Sequence, residues 1–385
     1  MKKTCDYNIC TGCGVCSTVC PKDCISFIEE GLGHIYPKIN QAICIDCKQC
    51  EQVCPALKNI DKQMPSTAYA AVIKDEQDYI TTTSGGAAQA LSLHTLNHGG
   101  IVYGCASLPG ANVEHIRIDN RKSLELLKGS KYVQSTLWKI YPQLMQDVKS
   151  AIKVLFIGTP CQCAAVKSLY KNLPDNLCLV ELICHGVPSQ KFLHEYLVKQ
   201  GCKLKDIDRL WFRTSRGFQV VASKKSQLGD YKPIYESIPL WDKDCKDFYY
   251  HTFFYGYSYR PSCYTCQFAC PRRCGDITIG DFWKLGAELP TKEIPAHPHG
   301  ISVILPCTSK GYDKIQQIAE LISLYERPVE EAISGNHQLQ HPTSCGLDVK
   351  IFNILRPILG ISNSFKLSFF MRRGFGFIRR KLKLA

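Results

Sequence analysis

Two stretches near the N-terminus repeat one arrangement of thiols: Cys10-x2-Cys13-x2-Cys16-x3-Cys20-Pro21 and Cys44-x2-Cys47-x2-Cys50-x3-Cys54-Pro55. Each has the spacing that holds a [4Fe–4S] cube, in which three closely spaced thiolates wrap one face and a fourth comes from a distance. With two cubes, the fourth cysteine of each run serves the other cube. One cluster is therefore expected on Cys10, Cys13, Cys16 and Cys54, and a second on Cys44, Cys47, Cys50 and Cys20. A zinc module would use separate CxxC pairs instead of two complete runs. Cys5 and Cys24 fall outside both runs and read as packing residues.

A third group of thiols lies farther along. Cys161 follows the apolar run KVLFI at 153–157, and Cys184 follows LCLVELI at 177–183, with one helical stretch between them. A strand–helix–strand crossover brings both loops to the same carboxyl edge of a sheet, where such sheets bind ligands. The two thiols can converge there, and Cys263-x2-Cys266 supplies another close pair. A competing set stays inside one loop, CYTCQFACPRRC, as Cys263, Cys266, Cys270 and Cys274. Spacing alone does not separate the two sets, and Cys163 is a lesser rival to Cys161.

The elements that must position these residues follow from patterning. The polar stretch KNIDKQMPS at 58–66 reads as a linker closing a module over 1–60. Strands are expected at 68–73, 101–103, 153–157 and 177–183, helices at 86–97, 136–149, 162–170 and 189–199, and antiparallel strands within 209–237. Phe248, Tyr249, Phe253, Phe254 and Tyr257 fall at helical spacing and read either as core packing or as a stack for a bound ring.

Six segments occur in register: Ser84-Gly85-Gly86, KGSKYVQS at 128–135, GTPCQ at 158–162, CHGVP at 184–188, RPSCYTC at 260–266 and GDITIGDFW at 275–283. Together they resemble the coenzyme F420 hydrogenase/dehydrogenase beta-subunit family over roughly residues 68–310, while the first 60 residues resemble dicluster ferredoxins. The resemblance implies FAD beside a third [4Fe–4S] cluster held by Cys161, Cys184, Cys263 and Cys266; Cys270 and Cys274 depart from the family's spacing. It also implies cofactor contacts at Ser84, Gly85, Gly86, Lys131, Tyr132, Thr159, Pro160 and Gln162.

Taken as residues, Gly85 and Gly86 ahead of a helix let backbone N–H groups approach a pyrophosphate, or else form an ordinary turn capped by Ser84. Lys131 could face a phosphate or the electron-rich end of an isoalloxazine, or simply water. His185 is a candidate proton relay or a structural imidazole, and Asp276 and Asp281 read as caps that brace the cluster loop. The absence of a GxGxxG fingerprint argues against a dedicated NAD site.

The expected class is α+β: an N-terminal dicluster ferredoxin domain (1–60), then an α/β flavin-binding domain of the F420 hydrogenase beta-subunit type. The latter divides into a flavin-binding region (67–150) and a C-terminal region with the third cluster (151–310); a helical region with a basic tail (311–385) follows.

Composition bounds the rest. The 385 residues contain 23 cysteines, an odd number, with 45% hydrophobic and 21% charged residues, which excludes a disordered chain and a small disulfide scaffold. Met1-Lys2-Lys3 is followed by no apolar leader, so a reducing cytoplasm is expected, and no run of apolar residues is long enough to span a bilayer. Lys and Arg number 47 against 34 Asp and Glu, a formal charge of +13. Nine of the positive charges and no negative one fall within 350–385, text that fits peripheral contact with an anionic membrane or a docked helix with solvated charges. Nucleic acid is not expected, since no recognition motif accompanies the charge.

The expected function is an iron–sulfur flavoprotein oxidoreductase. It would pass electrons between clusters and FAD, with hydride transfer to or from a small molecule, an F420-like deazaflavin or a polysaccharide-pathway intermediate, and an external donor or acceptor protein. The alternative is a noncatalytic electron-transfer subunit.

Overall fold

The computed structural model describes residues 3–242 and 247–381, with side chains through 372. The N-terminal module is built on an antiparallel hairpin, β1 (Ile25–Glu30) and β2 (His34–Ile39), with Ile25 opposite Ile39. Each cysteine run ends in a one-turn helix, Val15–Thr18 and Gln49–Gln52, entered through a left-handed residue, Gly14 (φ 76°) and Lys48 (φ 59°). The sequence repeat is thus also a conformational repeat. The stretch at 58–66 is more than a linker. Ile60 is buried, and Gln63 exchanges both backbone hydrogen bonds with Arg273 at 2.8 Å. Polar composition concealed this, because backbone pairing needs no particular side chain.

The body is organised on one sheet of eight strands. In chain order these are β3 (Ala68–Ile73), β4 (Ile101–Leu108), β5 (Asn112–Ile118), β6 (Val154–Gly158) and β7 (Leu177–Leu182). A separate antiparallel sheet intervenes in the chain, β8 (Arg209–Thr214), β9 (Gly217–Lys225) and β10 (Tyr231–Glu236), before β11 (Ile277–Asp281), β12 (Ser302–Pro306) and β13 (Ile322–Arg327) rejoin the large sheet. Its spatial order is β13-β3-β12-β11-β7-β6-β4-β5. The central strands β4, β6, β7 and β11 run parallel, and antiparallel strands complete both edges. Strands such as VLFIG, and LCLVEL apart from Glu181, are apolar because helices cover both faces of a parallel sheet.

Two of the expected boundaries fall within shared secondary structure. β3 lies between β12 and β13, so the cut at 150/151 passes through one sheet; the all-apolar AYAAVI needs neighbours on both sides. The region after 311 is not helical alone either, because ISLYER forms the edge strand β13. The strand expected at 101–103 extends to Leu108, and β5 answers it across a turn. The helix expected from 136 begins at Tyr141, since Thr136 is bridged to Glu114 and Trp138–Ile140 forms a 3-10 turn.

The three-stranded sheet packs with the helix Phe248–Phe254 and the C-terminal helix around an aromatic core that includes Phe192, Phe212, Tyr249 and Phe352. The C-terminal helix, Leu347–Lys381, is broken at Gly360 (φ 70°). Its inner side, including Val349, Phe352 and Phe365, is buried, while Arg356 reaches Glu195 at 3.4 Å and Arg372 reaches Asp348 at 3.1 Å. Ile358 and Phe370 face outward, 77% and 74% exposed. Among the described residues no helix is long and apolar enough to cross a membrane.

Candidate functional site

The carboxyl ends of β6, β7 and β11 open onto a cavity of about 810 Å³, at the sheet edge where parallel strands present their loops. Cys161, Cys184, Cys263 and Cys266 all line it. Cys161 is the second residue of the helix Pro160–Ser168, whose first turn is fixed by the Thr159 N–H donating to Gln162 Oε1 at 2.9 Å. Cys184 stands two residues beyond β7, and the 3-10 turn Pro261–Thr265 presents the CxxC pair. Burial pushes the Cys184 and Cys263 thiols up to about 12, and each neighbouring thiol adds to the effect. Burial raises Cys161 and Cys266 as well. Four such groups can be thiolates together only around a cationic centre, which is the donor chemistry of a metal cluster.

The rival thiols turn elsewhere. Cys270 Sγ donates to the Arg272 carbonyl at 3.2 Å, and Cys163 to that of Val180 at 3.4 Å. Cys274 donates to the Glu181 carboxylate at 2.9 Å. None of the three lines the cavity. Glu181 is fully buried and bonds the guanidinium of Arg273, the Thr278 hydroxyl (3.0 Å) and the Gly275 N–H (3.0 Å). Arg273 in turn donates to the carbonyls of Phe268 (3.0 Å) and Cys270 (2.9 Å), tying down the chain just after the CxxC pair. Neither residue stands out in the sequence.

In the N-terminal module, burial drives the Cys13 thiol up to about 12, with Cys54 and Cys10 adding their charge, and burial likewise raises Cys16, with Cys13, Cys10 and Cys54 adding theirs. Cys20, Cys44, Cys47 and Cys50 line a separate small pocket. The fourth cysteine of each run therefore stands with the first three of the other. Cys24 lies against the second group, its Sγ 3.3 Å from that of Cys20, and Cys5 lies against Cys10 and Cys54. Cys13 packs with Cys161 and Cys266 in one apolar cluster, and the buried Tyr141 hydroxyl there donates to the Cys13 carbonyl at 3.0 Å. Cys47 is exposed. The Cys10 group is thus next to the cavity thiols, and the Cys47 group reaches the surface.

Of the cofactor contacts expected from the sequence, Ser84, Gly86, Lys131, Tyr132, Thr159 and Gln162 line the cavity. Gly85 and Pro160 do not. A Cβ on Gly85 would fall 2.0 Å from the Ala71 oxygen and 2.4 Å from the Ser302 nitrogen, so this glycine permits close packing of backbone on β3 and β12. Pro160 is the buried first residue of its helix.

Gly86 (φ 83°), not Ser84, is the N-cap of the helix Ala87–Asn97, and the buried Ser84 hydroxyl has no partner among the described residues. Lys131 donates to the carbonyls of Leu127 (2.8 Å) and Lys128 (2.9 Å), with no carboxylate in ion-pair reach among the described residues, and burial lowers its pKa to about 8. An orphaned hydroxyl, a helix start and a half-buried ammonium with no acid partner, all lining one cavity, fit a phosphate-bearing ligand.

His185 also lines the cavity, its Nδ1 2.6 Å from Gln338 Nε2; burial lowers its pKa to about 4, so the ring is neutral. Phe253 and Phe254 pack on their aromatic neighbours and also line the cavity, together with Trp241 and Trp283. Asp281 pairs with Arg213 at 2.7 Å on the cavity wall. Asp276 accepts from the Leu179 N–H and the Thr308 hydroxyl, each at 2.8 Å, bracing strands and not the cluster loop. Gln134 and Ser135, inside the KGSKYVQS segment but not singled out as contacts, and His115, outside every quoted segment, also line the cavity; Gln162 donates to Ser135, which bonds His115, both at 2.9 Å.

Comparison with known proteins adds family context. Residues 152–332 match the family model for the C terminus of the coenzyme F420 hydrogenase/dehydrogenase beta subunit, and residues 9–57 match a 4Fe-4S dicluster domain. The F subunit of the F(420)H(2) dehydrogenase of Methanosarcina mazei is 20% identical over 221 residues, 54% of this chain and 62% of that protein's length. The A subunit of the H(2):CoB-CoM heterodisulfide,ferredoxin reductase of Methanothermobacter thermautotrophicus is 34% identical over 62 residues, covering 13% of this chain and 9% of that one. The matches therefore span less than two thirds of these relatives. A chain of the F420-reducing [NiFe] hydrogenase complex from Methanosarcina barkeri overlays 73% of this chain and 94% of its own, with a TM-score of 0.46 and 17% identity.

Proposed function

Residues 152–332 form a domain of the coenzyme F420 hydrogenase/dehydrogenase beta-subunit family and residues 9–57 a 4Fe-4S dicluster domain, and from that premise we propose an iron–sulfur flavoprotein subunit that exchanges electrons between a substrate in the cavity and an external redox protein. The observation that carries the reading is the convergence of Cys161, Cys184, Cys263 and Cys266 on a cavity whose wall also presents the unpartnered Ser84 hydroxyl and the unpaired Lys131 ammonium.

FAD, when bound, supplies exchange between a hydride and single electrons, and [4Fe–4S] clusters supply single-electron carriage. The chain's own residues position both. Ser84 and the backbone at Gly86 bind a pyrophosphate, and Lys131 neutralises negative charge beside it. Tyr132 and Phe253, 5.1 Å apart between ring centres, offer an apolar wall to a planar ring. The cavity thiols hold a third cluster, with Cys10, Cys13, Cys16 and Cys54 holding the next and Cys20, Cys44, Cys47 and Cys50 the one nearest the surface. Electrons thus have an ordered route from cavity to an exposed exit beside Cys47 for a soluble partner.

The relatives' names make an F420-like deazaflavin the first substrate to test, ahead of a polysaccharide-pathway intermediate. The reading places the chain in the cytoplasm, whose reducing conditions keep thiols free for metal. The outward Ile354, Ile358 and Phe370 beside Lys350 and Lys366 support peripheral contact with an anionic membrane.

Anaerobic preparation of the full chain tests the reading. About twelve iron atoms and one FAD per chain are expected. Cys184→Ala should lower iron to about eight, and Cys274→Ala should leave it unchanged. Iron lost in Cys274→Ala but not in Cys184→Ala would overturn the ligand set, and a chain that loads iron but binds no flavin would leave only the noncatalytic relay.

A further inference from the structure

Arg260 is 1% exposed and lies where the N-terminal module meets the cavity thiols. Its Nε donates to the Cys10 carbonyl at 2.6 Å, and its Nη2 donates to the Ile35 carbonyl at 2.8 Å and approaches Cys10 Sγ at 3.6 Å. Nη1 donates to Gln134 Oε1 at 3.2 Å, and the guanidinium lies over the Tyr36 ring at 4.2 Å. Every one of these partners is a neutral oxygen, a sulfur or a ring face. No carboxylate pairs with Arg260 among the described residues, although a buried cation without a counter-charge is costly.

The surroundings are shaped to admit this group. Gly12 (φ 68°) passes so close that a Cβ there would stand 2.6 Å from Nη1, and Gln134 Nε2 donates to the Thr11 carbonyl at 2.9 Å, pinning the same turn. The other two thiol groups differ. Arg273, behind the cavity thiols, is neutralised by Glu181, and the pocket of Cys20, Cys44, Cys47 and Cys50 is bordered by Lys22, Lys48, Asp46 and Glu51 at the surface. Arg260 is 1% exposed, touches Cys10 directly and has no acid paired with it among the described residues, whereas Lys131 on the cavity wall donates to two carbonyls and makes no hydrogen bond to a cluster thiol.

We propose that Arg260 is the counter-charge of the cluster held by Cys10, Cys13, Cys16 and Cys54, a positioning residue that raises that cluster's reduction potential relative to its two neighbours. The inference rests on the reading of the thiol groups as cluster sites. Reduction adds one negative charge to a cluster; a fixed guanidinium in a water-poor site stabilises the reduced form more than the oxidised one. Hydrogen bonding to a ligand sulfur acts in the same direction. The middle station of the route would then retain an arriving electron instead of returning it to the cavity. The same side chain holds the Cys10 turn against the segment that carries Cys263, so electrical tuning and distance are set by one residue.

The test is a dithionite titration of the full, iron-loaded chain followed by EPR, comparing wild type with Arg260→Gln and Arg260→Lys. In Arg260→Gln one midpoint potential should move to a more negative value and the others stay in place. Arg260→Lys, which keeps the charge but loses the planar fork, should move the same signal by less. Cys184→Ala and Cys47→Ser identify the cavity and surface clusters, and the signal that moves must be neither of theirs. Unmoved potentials in fully loaded Arg260→Gln, or movement of the cavity or surface signal instead, would overturn the proposal. Should Arg260→Gln fail to load iron, Arg260→Lys decides on its own by the presence or absence of the negative shift. A wild-type chain that takes up no iron would sink the cluster reading itself, whereas a loaded wild type with indifferent variants sinks only the role of Arg260.

Discussion

Lys131 holds its ammonium inside the protein on two carbonyl oxygens, and burial brings its pKa down to about 8. An anion bound beside it would favour the charged form. Below about pH 8 the charge is present and attracts the ligand; as pH rises through that value it is lost. FAD affinity of the flavin-free chain should therefore be level up to about pH 8 and then fall by as much as about tenfold per pH unit. Fluorescence titrations across that range should show the fall in wild type and none in Lys131→Met, while a level wild-type profile would remove Lys131 from the flavin site. At this scale the two N-terminal cysteine runs stood out because their spacing is local, whereas spacing alone left the third set open between Cys161 with Cys184 and Cys270 with Cys274. Arg260 and Glu181 did not stand out: Arg260 reaches Cys10 across 250 positions, and Glu181 meets Arg273 across 92. Adjacent Gly85 and Gly86 divide in the same way. A shared motif cannot tell that one backs onto the sheet while the other starts a helix at the cavity.

Among the elements, β6 and β7 with their intervening helix were readable from short apolar runs, and their adjacency was enough to bring Cys161 toward Cys184. The edge strands were harder. β5 and β13 carry charged residues within NVEHIRI and ISLYER, and their pairing partners are supplied by the sheet rather than by local preference. The loop after Cys266 depends on a device of the same long-range kind, since Arg273 grips two of its carbonyls while Glu181, on β7, neutralises it. Glu181→Gln removes the negative partner and leaves a buried guanidinium, a change that costs about 3–5 kcal/mol in comparable sites. The loaded chain should unfold at a clearly lower temperature and release iron faster. Glu181→Leu with Arg273→Met should recover part of the loss, because removing both charges avoids the unpaired one. Equal stability of wild type and Glu181→Gln would show that the pair does not hold the loop.

Over the whole molecule, the formal +13 divides unevenly: residues 350–385 carry nine positive charges and no negative one, which leaves +4 for the rest. Three oxidised clusters with their thiolates would bring about −2 each, turning the body to roughly −2. The basic text alone could not say how its apolar residues are used, because docking and membrane contact call for the same composition. The helix does the first with Val349, Phe352 and Phe365, and leaves Ile354, Ile358 and Phe370 outward beside Lys350 and Lys366. Deleting it would uncover the aromatic core, so the membrane question calls for substitutions on the outer face. The full chain should float with vesicles of phosphatidylcholine containing about 30% phosphatidylserine and not with phosphatidylcholine alone, and about 0.5 M salt should weaken the binding. Ile358→Asp with Phe370→Asp should abolish flotation while iron content stays at the wild-type level, since neither side chain touches the docked face. Equal binding to neutral vesicles, or flotation untouched by the substitutions, would rule out a lipid-facing helix. A wild-type dimer that the same substitutions convert to a monomer would assign the outer face to a second copy of the chain.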